Sequence, residues 1–107
     1  MRVVIADDDM LVSGALKTIL EKDKDVEVQG IAGNGKEAVE LYRKYEPDVI
    51  LLDIQMSPMS GLEASEEILK SNPDARILLL TTFSDDEYIV KALKCGVKGY
   101  LLKQDYA

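Results

Sequence analysis

The sequence predicts an α/β fold, a doubly wound sheet of five parallel strands with helices on both faces. Three observations carry that prediction: short runs rich in Val, Ile and Leu, helical apolar spacing between them, and short connections throughout. The runs are Val3–Ala6, Val26–Ala32, Val49–Leu52, Ile77–Leu80 and Tyr100–Leu102. The third and fourth, Val-Ile-Leu-Leu and Ile-Leu-Leu-Leu, are apolar on both faces. A parallel strand covered on each side by helices requires that.

After the first run, Val12, Ala15, Leu16, Ile19 and Leu20 fall at i, i+3, i+4, i+7 and i+8, with Lys17, Glu21 and Lys22 on other faces. Ala38, Leu41, Tyr42 and Tyr45 repeat the pattern in the next stretch. Helix starts are marked by Asn34 before Glu37, Ser60 before Glu63 and Ser84 before Glu87. The two serine pairs fit a capping box, and Asn34 is a good N-cap by itself. Gly96 stands where the fourth helix would end on a left-handed residue. The order is βαβαβαβαβ, with right-handed crossovers. A chain of 107 residues has room for one domain, expected over 1–107. It stops soon after the fifth strand, so the last helix of a five-stranded unit is expected to be missing.

Composition narrows the chemistry. Thirteen Lys and Arg against 20 Asp and Glu give a net charge of −7, with no His, no Trp and one Cys. Without histidine there is no internal Ser-His-Asp or Cys-His arrangement and no imidazole proton shuttle. Cys95 alone makes neither an intrachain disulfide nor a thiolate zinc cluster. The acidic balance argues against direct nucleic-acid binding, which needs a basic stripe. No apolar run approaches the roughly 20 residues that span a bilayer. The amino terminus turns acidic at Asp7, before a signal-peptide core could form. The expected setting is cytoplasmic, with no membrane partner.

In open α/β sheets, function gathers beyond the carboxyl ends of the strands. There the first strand ends in Asp7-Asp8-Asp9, the third in Asp53, the fourth in Thr81-Thr82 and the fifth in Lys103. A 2-1-3-4-5 strand order, the flavodoxin-like arrangement, makes strands one and three neighbours and crowds these acids into one crevice. Close carboxylates repel, and burial disfavours their ionised forms further, so the cluster calls for a cation. Oxygen ligands without His or Cys suit Mg²⁺, which often binds together with a phosphate. Lys103 would be a point charge for that phosphate, and Thr81 a hydroxyl donor. The set describes Mg²⁺-assisted phosphoryl transfer with an aspartate available as nucleophile. Each residue alone has a plainer reading. Asp9 and Asp85 can be helix N-caps, Lys103 a solvated charge, and Thr81 and Thr82 ordinary strand residues. Their collection at one end of four different strands sets them apart.

This constellation resembles the receiver domain of two-component response regulators, over essentially the whole chain. Its carriers are Asp7-Asp8, Asp53, Thr81 and the Lys103 of Gly99-Tyr100-Leu101-Leu102-Lys103, with Asp53-Ile54-Gln55-Met56 and Gly61-Leu62-Glu63-Ala64 also similar. Thr81-Thr82-Phe83 and the Gly99–Lys103 run resemble receivers of LuxR/NarL-type transcriptional regulators. The resemblance implies that Asp53 accepts a phosphoryl group from phosphohistidine on a sensor histidine kinase. Asp8, Asp53 and the backbone carbonyl of Gln55 would hold Mg²⁺, with Asp7 acting through water. Lys103 would pair with the phosphoryl oxygens, while Thr81 would swing toward them and Tyr100 follow inward. It further implies a C-terminal helix-turn-helix DNA-binding domain in the full-length protein, homodimerisation on phosphorylation, and no enzyme activity beyond self-phosphorylation and self-dephosphorylation.

Four departures from the family pattern stand out. Ser57-Pro58 places proline one position late, so the loop after the third strand is expected to differ. Gln104 replaces the proline that often follows the lysine. Asp9 adds a third consecutive acid, and Phe83 is bulky near a position that influences attack by water on phosphoaspartate.

The main rival is a Mg²⁺ phosphohydrolase of the haloacid-dehalogenase type, with Asp7 as nucleophile, Asp9 as acid/base and Asp85-Asp86 as metal ligands. It leaves Asp53 idle and has no space for a flap before the first helix. An interaction domain without phosphorylation would not need Asp53, Thr81 and Lys103. A nucleotide-binding reading is weaker, because Gly30, Gly33 and Gly35 do not make G-x-G-x-x-G and read as turn glycines. Cys95 reads as a small packing residue.

Overall fold

Strand β1 (Arg2–Ala6), helix α1 (Met10–Leu20), β2 (Glu27–Ala32), α2 (Gly35–Tyr45), β3 (Val49–Asp53), α3 (Gly61–Ser71), β4 (Ile77–Thr81), α4 (Asp86–Cys95) and β5 (Gly99–Leu102) alternate along the chain. The computed structural model describes residues 1–82 and 86–103. All strand pairs are parallel, and the order is β2-β1-β3-β4-β5, the flavodoxin-like arrangement that the sequence predicts. Four helices accompany the five strands among the described residues.

The pleat sorts the strand residues onto two faces. Val4, Ala6, Ile50, Leu52, Ile77 and Leu79 turn toward Ala38, Val39 and Tyr42 of α2, Ala64 and Ile68 of α3, and Ala92 of α4. Val3, Ile5, Leu51 and Leu80 pack on the opposite side with Leu16 of α1. Burial on both faces explains the unbroken apolar runs of β3 and β4, where each fully buried Ile or Leu contributes about 1.5–3 kcal/mol. The register of β1 on β2 slips between Val3↔Val28 and Val4↔Gly30, so Gln29 is the extra residue of a bulge on an edge strand.

Helix α1 departs from the expected stripe. Val12, Leu16 and Leu20 pack on the sheet side, but Ala15 is exposed and Ile19 is 46% exposed. Ser13 is buried in their place and bonds within the helix, its hydroxyl donating to the Met10 carbonyl at 3.3 Å. That bond removes most of the cost of burying a hydroxyl, which the spacing of apolar residues alone could not reveal. Helix α2 follows expectation, with Ala38 and Tyr42 buried and Leu41 and Tyr45 partly so.

The caps follow the sequence where they are described. Ser60 and Glu63 form the reciprocal capping box of α3. Asn34 accepts from the Glu37 amide, and the Glu37 carboxylate turns back to Gly33 at 3.1 Å. Ser84, the expected cap of α4, lies outside the described residues, as do Phe83, Asp85 and Gln104. Helix α4 ends in a Schellman motif. Val97 N–H donates to the Ala92 carbonyl at 3.0 Å and Gly96 N–H to Leu93 at 3.3 Å, with Gly96 at φ 115°. Cys95 is exposed rather than packed. Partial burial, then the charge of Glu66, push its thiol above the usual range.

Gly96→Ala is expected to cost about 1–3 kcal/mol, because a Cβ strains the backbone at this φ even though only Leu69 lies nearby, at 3.5 Å. Urea unfolding should show a lower midpoint at unchanged slope, and an unmoved midpoint would contradict the capping role.

Candidate functional site

The site is assembled at the carboxyl ends of β1, β3 and β5. Asp7 is the first residue past β1. Its N–H donates to the Ala32 carbonyl of β2 at 3.0 Å, which prolongs the ladder and holds the side chain fully buried at 0% exposure. Asp53 closes β3 opposite Leu80, is 4% exposed, and lies across from Asp7 because β1 and β3 are neighbours. Asp8 is exposed beside them. One carboxylate oxygen from each of Asp7, Asp8 and Asp53 lies within 4.8 Å of the other two. Lys103, just past β5, brings its Nζ to 3.1 Å from both Asp7 Oδ2 and Asp53 Oδ2.

Charge and burial pull against each other here. Burial raises the Asp53 carboxyl most, the charge of Asp7 adds to it, and the Lys103 hydrogen bond and charge oppose both. Asp8 adds a smaller push in the same direction as Asp7, and the outcome is a pKa of about 6. Burial alone would lower Lys103, but its hydrogen bonds and attraction to Asp53 and then Asp7 outweigh burial and raise it. Three carboxylates share one ammonium, so the fully ionised cluster is two charges short of neutral. Asp7 Oδ2 is buried, and among the described residues its partner is the Lys103 ammonium at 3.1 Å. Three carboxylate oxygens within 4.8 Å of one another, with one ammonium beside them, are a suitable seat for a metal ion, and an all-oxygen set suits a hard one.

Asp9, the fourth acid expected in this crevice, is turned elsewhere. Its Oδ1 accepts the Leu11 amide at 2.9 Å and caps α1, while its own N–H donates to Asp7 Oδ1 at 2.8 Å. Capping satisfies an otherwise orphaned helix amide, and it makes Asp9 a support for Asp7 rather than a member of the cluster. Asp53 rather than Asp9 is therefore the carboxylate that faces Asp7, while the Asp9 that the haloacid-dehalogenase reading needs as acid/base is engaged in capping α1. Thr81 ends β4, fully buried, with its hydroxyl donating to the Thr82 carbonyl at 3.1 Å. Tyr100 is 47% exposed on β5, in register with Leu79.

The loop between β3 and α3 carries Gln55, which is exposed. Ile54 N–H donates to Leu80 at 3.2 Å, and the Ile54 carbonyl accepts from Gly61 at 2.8 Å, so the loop closes on itself right after Asp53. A Cβ on Gly61 would stand 2.0 Å from the Asp53 carbonyl oxygen, which only glycine permits. The Ser57–Pro58 peptide is cis. A groove of about 640 Å³ opens beside the cluster, between Asp8, Gln55, Met56, Leu62 and Tyr88 of α4. Sequence reasoning missed Tyr88, which offers no charge or motif to single it out. It also took the glycines for turn residues. Gly30 lies inside β2, where a Cβ would stand 3.2 Å from Leu41, and Gly35 is the first residue of α2. Neither has positive φ, so both reflect close packing rather than turn geometry.

Residues 3–105 match the response regulator receiver domain family. The chain belongs to that family. The receiver domain is 45% identical over 104 residues to the oxygen regulatory protein NreC of Staphylococcus epidermidis, covering 96% of this chain and 48% of that protein. It is 40% identical over 104 residues to the transcriptional regulatory protein DegU of Brevibacillus brevis, covering 97% of this chain and 44% of the other. Among solved structures, a DNA-binding response regulator of the LuxR family from Staphylococcus aureus superposes with a TM-score of 0.89 at 33% identity, covering 96% of this chain and 86% of that one. The chain thus spans about half the length of these two regulators. No helix among the described residues is long and apolar enough to cross a membrane.

The raised Asp53 pKa has a stability consequence in metal-free buffer. An acid whose folded pKa of about 6 exceeds its ordinary 3.8 binds its proton more tightly when folded, so folding loses stability as pH rises through that window. Asp53→Asn escapes the loss. Its advantage over wild type is expected to be absent near pH 4 and to reach on the order of 1–2 kcal/mol above pH 6.5, allowing for solvent screening. Parallel stability–pH curves for the two proteins, measured by urea unfolding in EDTA, would contradict this.

Proposed function

We propose that this receiver domain accepts a phosphoryl group on Asp53 from phosphohistidine of a sensor histidine kinase and switches an attached output. The observation that carries the reading is the single ammonium of Lys103, 3.1 Å from both Asp7 and Asp53, with Asp8 completing an oxygen-only cluster. To act as a nucleophile Asp53 must be ionised, which burial and Asp7 oppose and Lys103 favours. Mg²⁺ held by Asp8, Asp53 and the Gln55 carbonyl, with Asp7 through water, would supply the positive charge that the cluster lacks.

In the transfer, an Asp53 carboxylate oxygen forms a bond to phosphorus as the phosphorus–nitrogen bond breaks and the imidazole leaves with the electron pair. The Lys103 ammonium then finds phosphoryl oxygens where it had a carboxylate oxygen, and it stays a point charge throughout. A Thr81 hydroxyl that leaves the Thr82 carbonyl for the phosphoryl group would pull the end of β4, and Tyr100 on the adjoining β5 would be drawn inward with it. New charge at Asp53 thereby biases the surface of α4 and β5.

The full-length relatives support a further step. DegU is by name a transcriptional regulatory protein, and this chain covers under half of it. We place residues 1–107 as the receiver unit of a cytoplasmic regulator whose C-terminal portion binds DNA through a helix-turn-helix, with phosphorylation favouring a homodimer.

Incubation with acetyl phosphate and Mg²⁺ tests the chemistry directly by intact mass. Wild type is expected to gain one phosphoryl group, Asp53→Asn none, and Lys103→Ala to label at least 10-fold more slowly. Labelling that persists in Asp53→Asn would place the nucleophile elsewhere, and multiple turnover of a phosphate monoester would favour the phosphohydrolase.

A further inference from the structure

The groove beside the acid cluster encloses about 640 Å³, within the range of about 300–1,000 Å³ usual for small-molecule sites. Asp8 is part of its lining, and one Asp8 carboxylate oxygen lies within 4.8 Å of oxygens of Asp7 and Asp53, so the groove opens onto the cluster. Its walls also carry Tyr88 of α4, which is 43% exposed, together with Met56 and Leu62. Glu63, which closes the capping box of α3, is a second carboxylate on the groove, and no lysine or arginine lines it among the described residues. Even with a cation on Asp8, Glu63 keeps the remainder acidic. A cleft lined by one sign of charge repels that sign, so the part of a ligand lying here is neutral or cationic. The tyrosine ring, thioether and leucine side chain suit a flat ring, because aromatic faces attract cations and other rings, and methionine sulfur packs favourably against aromatic groups.

We propose that Tyr88 receives the imidazole of the phosphoryl donor, which makes this groove a leaving-group subsite that selects donors bearing a ring. The inference rests on the reading of Asp53 as the phosphoacceptor. An N-phosphorylated imidazole that holds a proton on its other nitrogen carries a cationic ring, the kind of group this acidic, aromatic groove fits. As the Asp53 oxygen–phosphorus bond forms and the phosphorus–nitrogen bond breaks, the bonding pair goes to nitrogen. The imidazole then leaves neutral, keeping its proton. Tyr88 holds the ring while the cluster holds the phosphoryl group, so the two ends of the donor are bound by separate parts of the chain. Donors without a ring cannot use the subsite.

Phosphoimidazole and phosphoramidate make a matched pair of probes, since both transfer phosphorus from nitrogen and only the first has a ring. The experiment measures initial rates of labelling from each donor in Mg²⁺, by intact mass, for wild type, Tyr88→Phe, Tyr88→Ala, Tyr88→Leu and Val90→Ala. Val90 is 51% exposed on the same helix and does not line the groove, so its variant controls for the helix surface. Tyr88→Ala and Tyr88→Leu are expected to label about 3- to 10-fold more slowly from phosphoimidazole and to stay within about 2-fold of wild type with phosphoramidate. Tyr88→Phe and Val90→Ala should match wild type with both donors. An equal fall with both donors would give Tyr88 a merely structural role and overturn the inference, as would an unchanged phosphoimidazole rate. Should Tyr88→Ala fail to fold, Tyr88→Leu keeps the apolar bulk without the aromatic face and decides the question. Wild type labelled by neither donor would overturn the reading of Asp53 and the inference together.

Discussion

Two carboxylates share one lysine beneath the ends of the central strands, and burial makes that sharing costly. Asp7 and Asp53 are almost wholly removed from water, yet the ammonium of Lys103 can neutralise only one of them. The surrounding structure is arranged around that imbalance. Parallel pairing of β1 with β3 forces the two acids together, and β5 at the edge of the sheet delivers the lysine from the far side. Asp9, next in the acid run, is diverted into capping α1 and supports Asp7 through its backbone amide. The site is thus kept electrically unsatisfied, with three carboxylates against one ammonium.

The same geometry explains how a local charge change could reach the surface. Asp53, Thr81 and Lys103 terminate three successive strands of the sheet, β3, β4 and β5. Strand pairing links their backbones, and Tyr100 of β5, in register with Leu79 of β4, is half-exposed. Tight packing makes such elements prefer discrete arrangements over gradual deformation.

Strand positions and strand ends were legible in the sequence because burial on both faces leaves a plain mark, as in Val49–Leu52 and Ile77–Leu80. The grouping of the charged side chains was legible for a related reason. Strand ends are where side chains must project into the crevice, so the positions of Asp7, Asp8, Asp53 and Lys103 nearly fix their meeting. What could not be read were choices between two uses of one residue type. An aspartate after a strand can ligate or cap, and Asp9 caps. A serine can face water or bond within its helix, and Ser13 does the second, so α1 buries it while Ala15 and Ile19 face outward. A glycine can make a turn or admit a neighbour. Gly35 and Gly61 admit Met59 and Asp53, contacts between segments whose distance in sequence hides them.

The central claim, that the buried acid cluster is built to be completed by a divalent cation, is tested most directly by thermal melting of wild type and Asp8→Asn in Mg²⁺, with NaCl at matched ionic strength as control. At ten times the dissociation constant, Mg²⁺ should stabilise wild type by about 1.4 kcal/mol beyond NaCl and leave Asp8→Asn nearly unmoved. Equal shifts in Mg²⁺ and NaCl for the wild type would mean that the cluster is only screened, and would contradict the account.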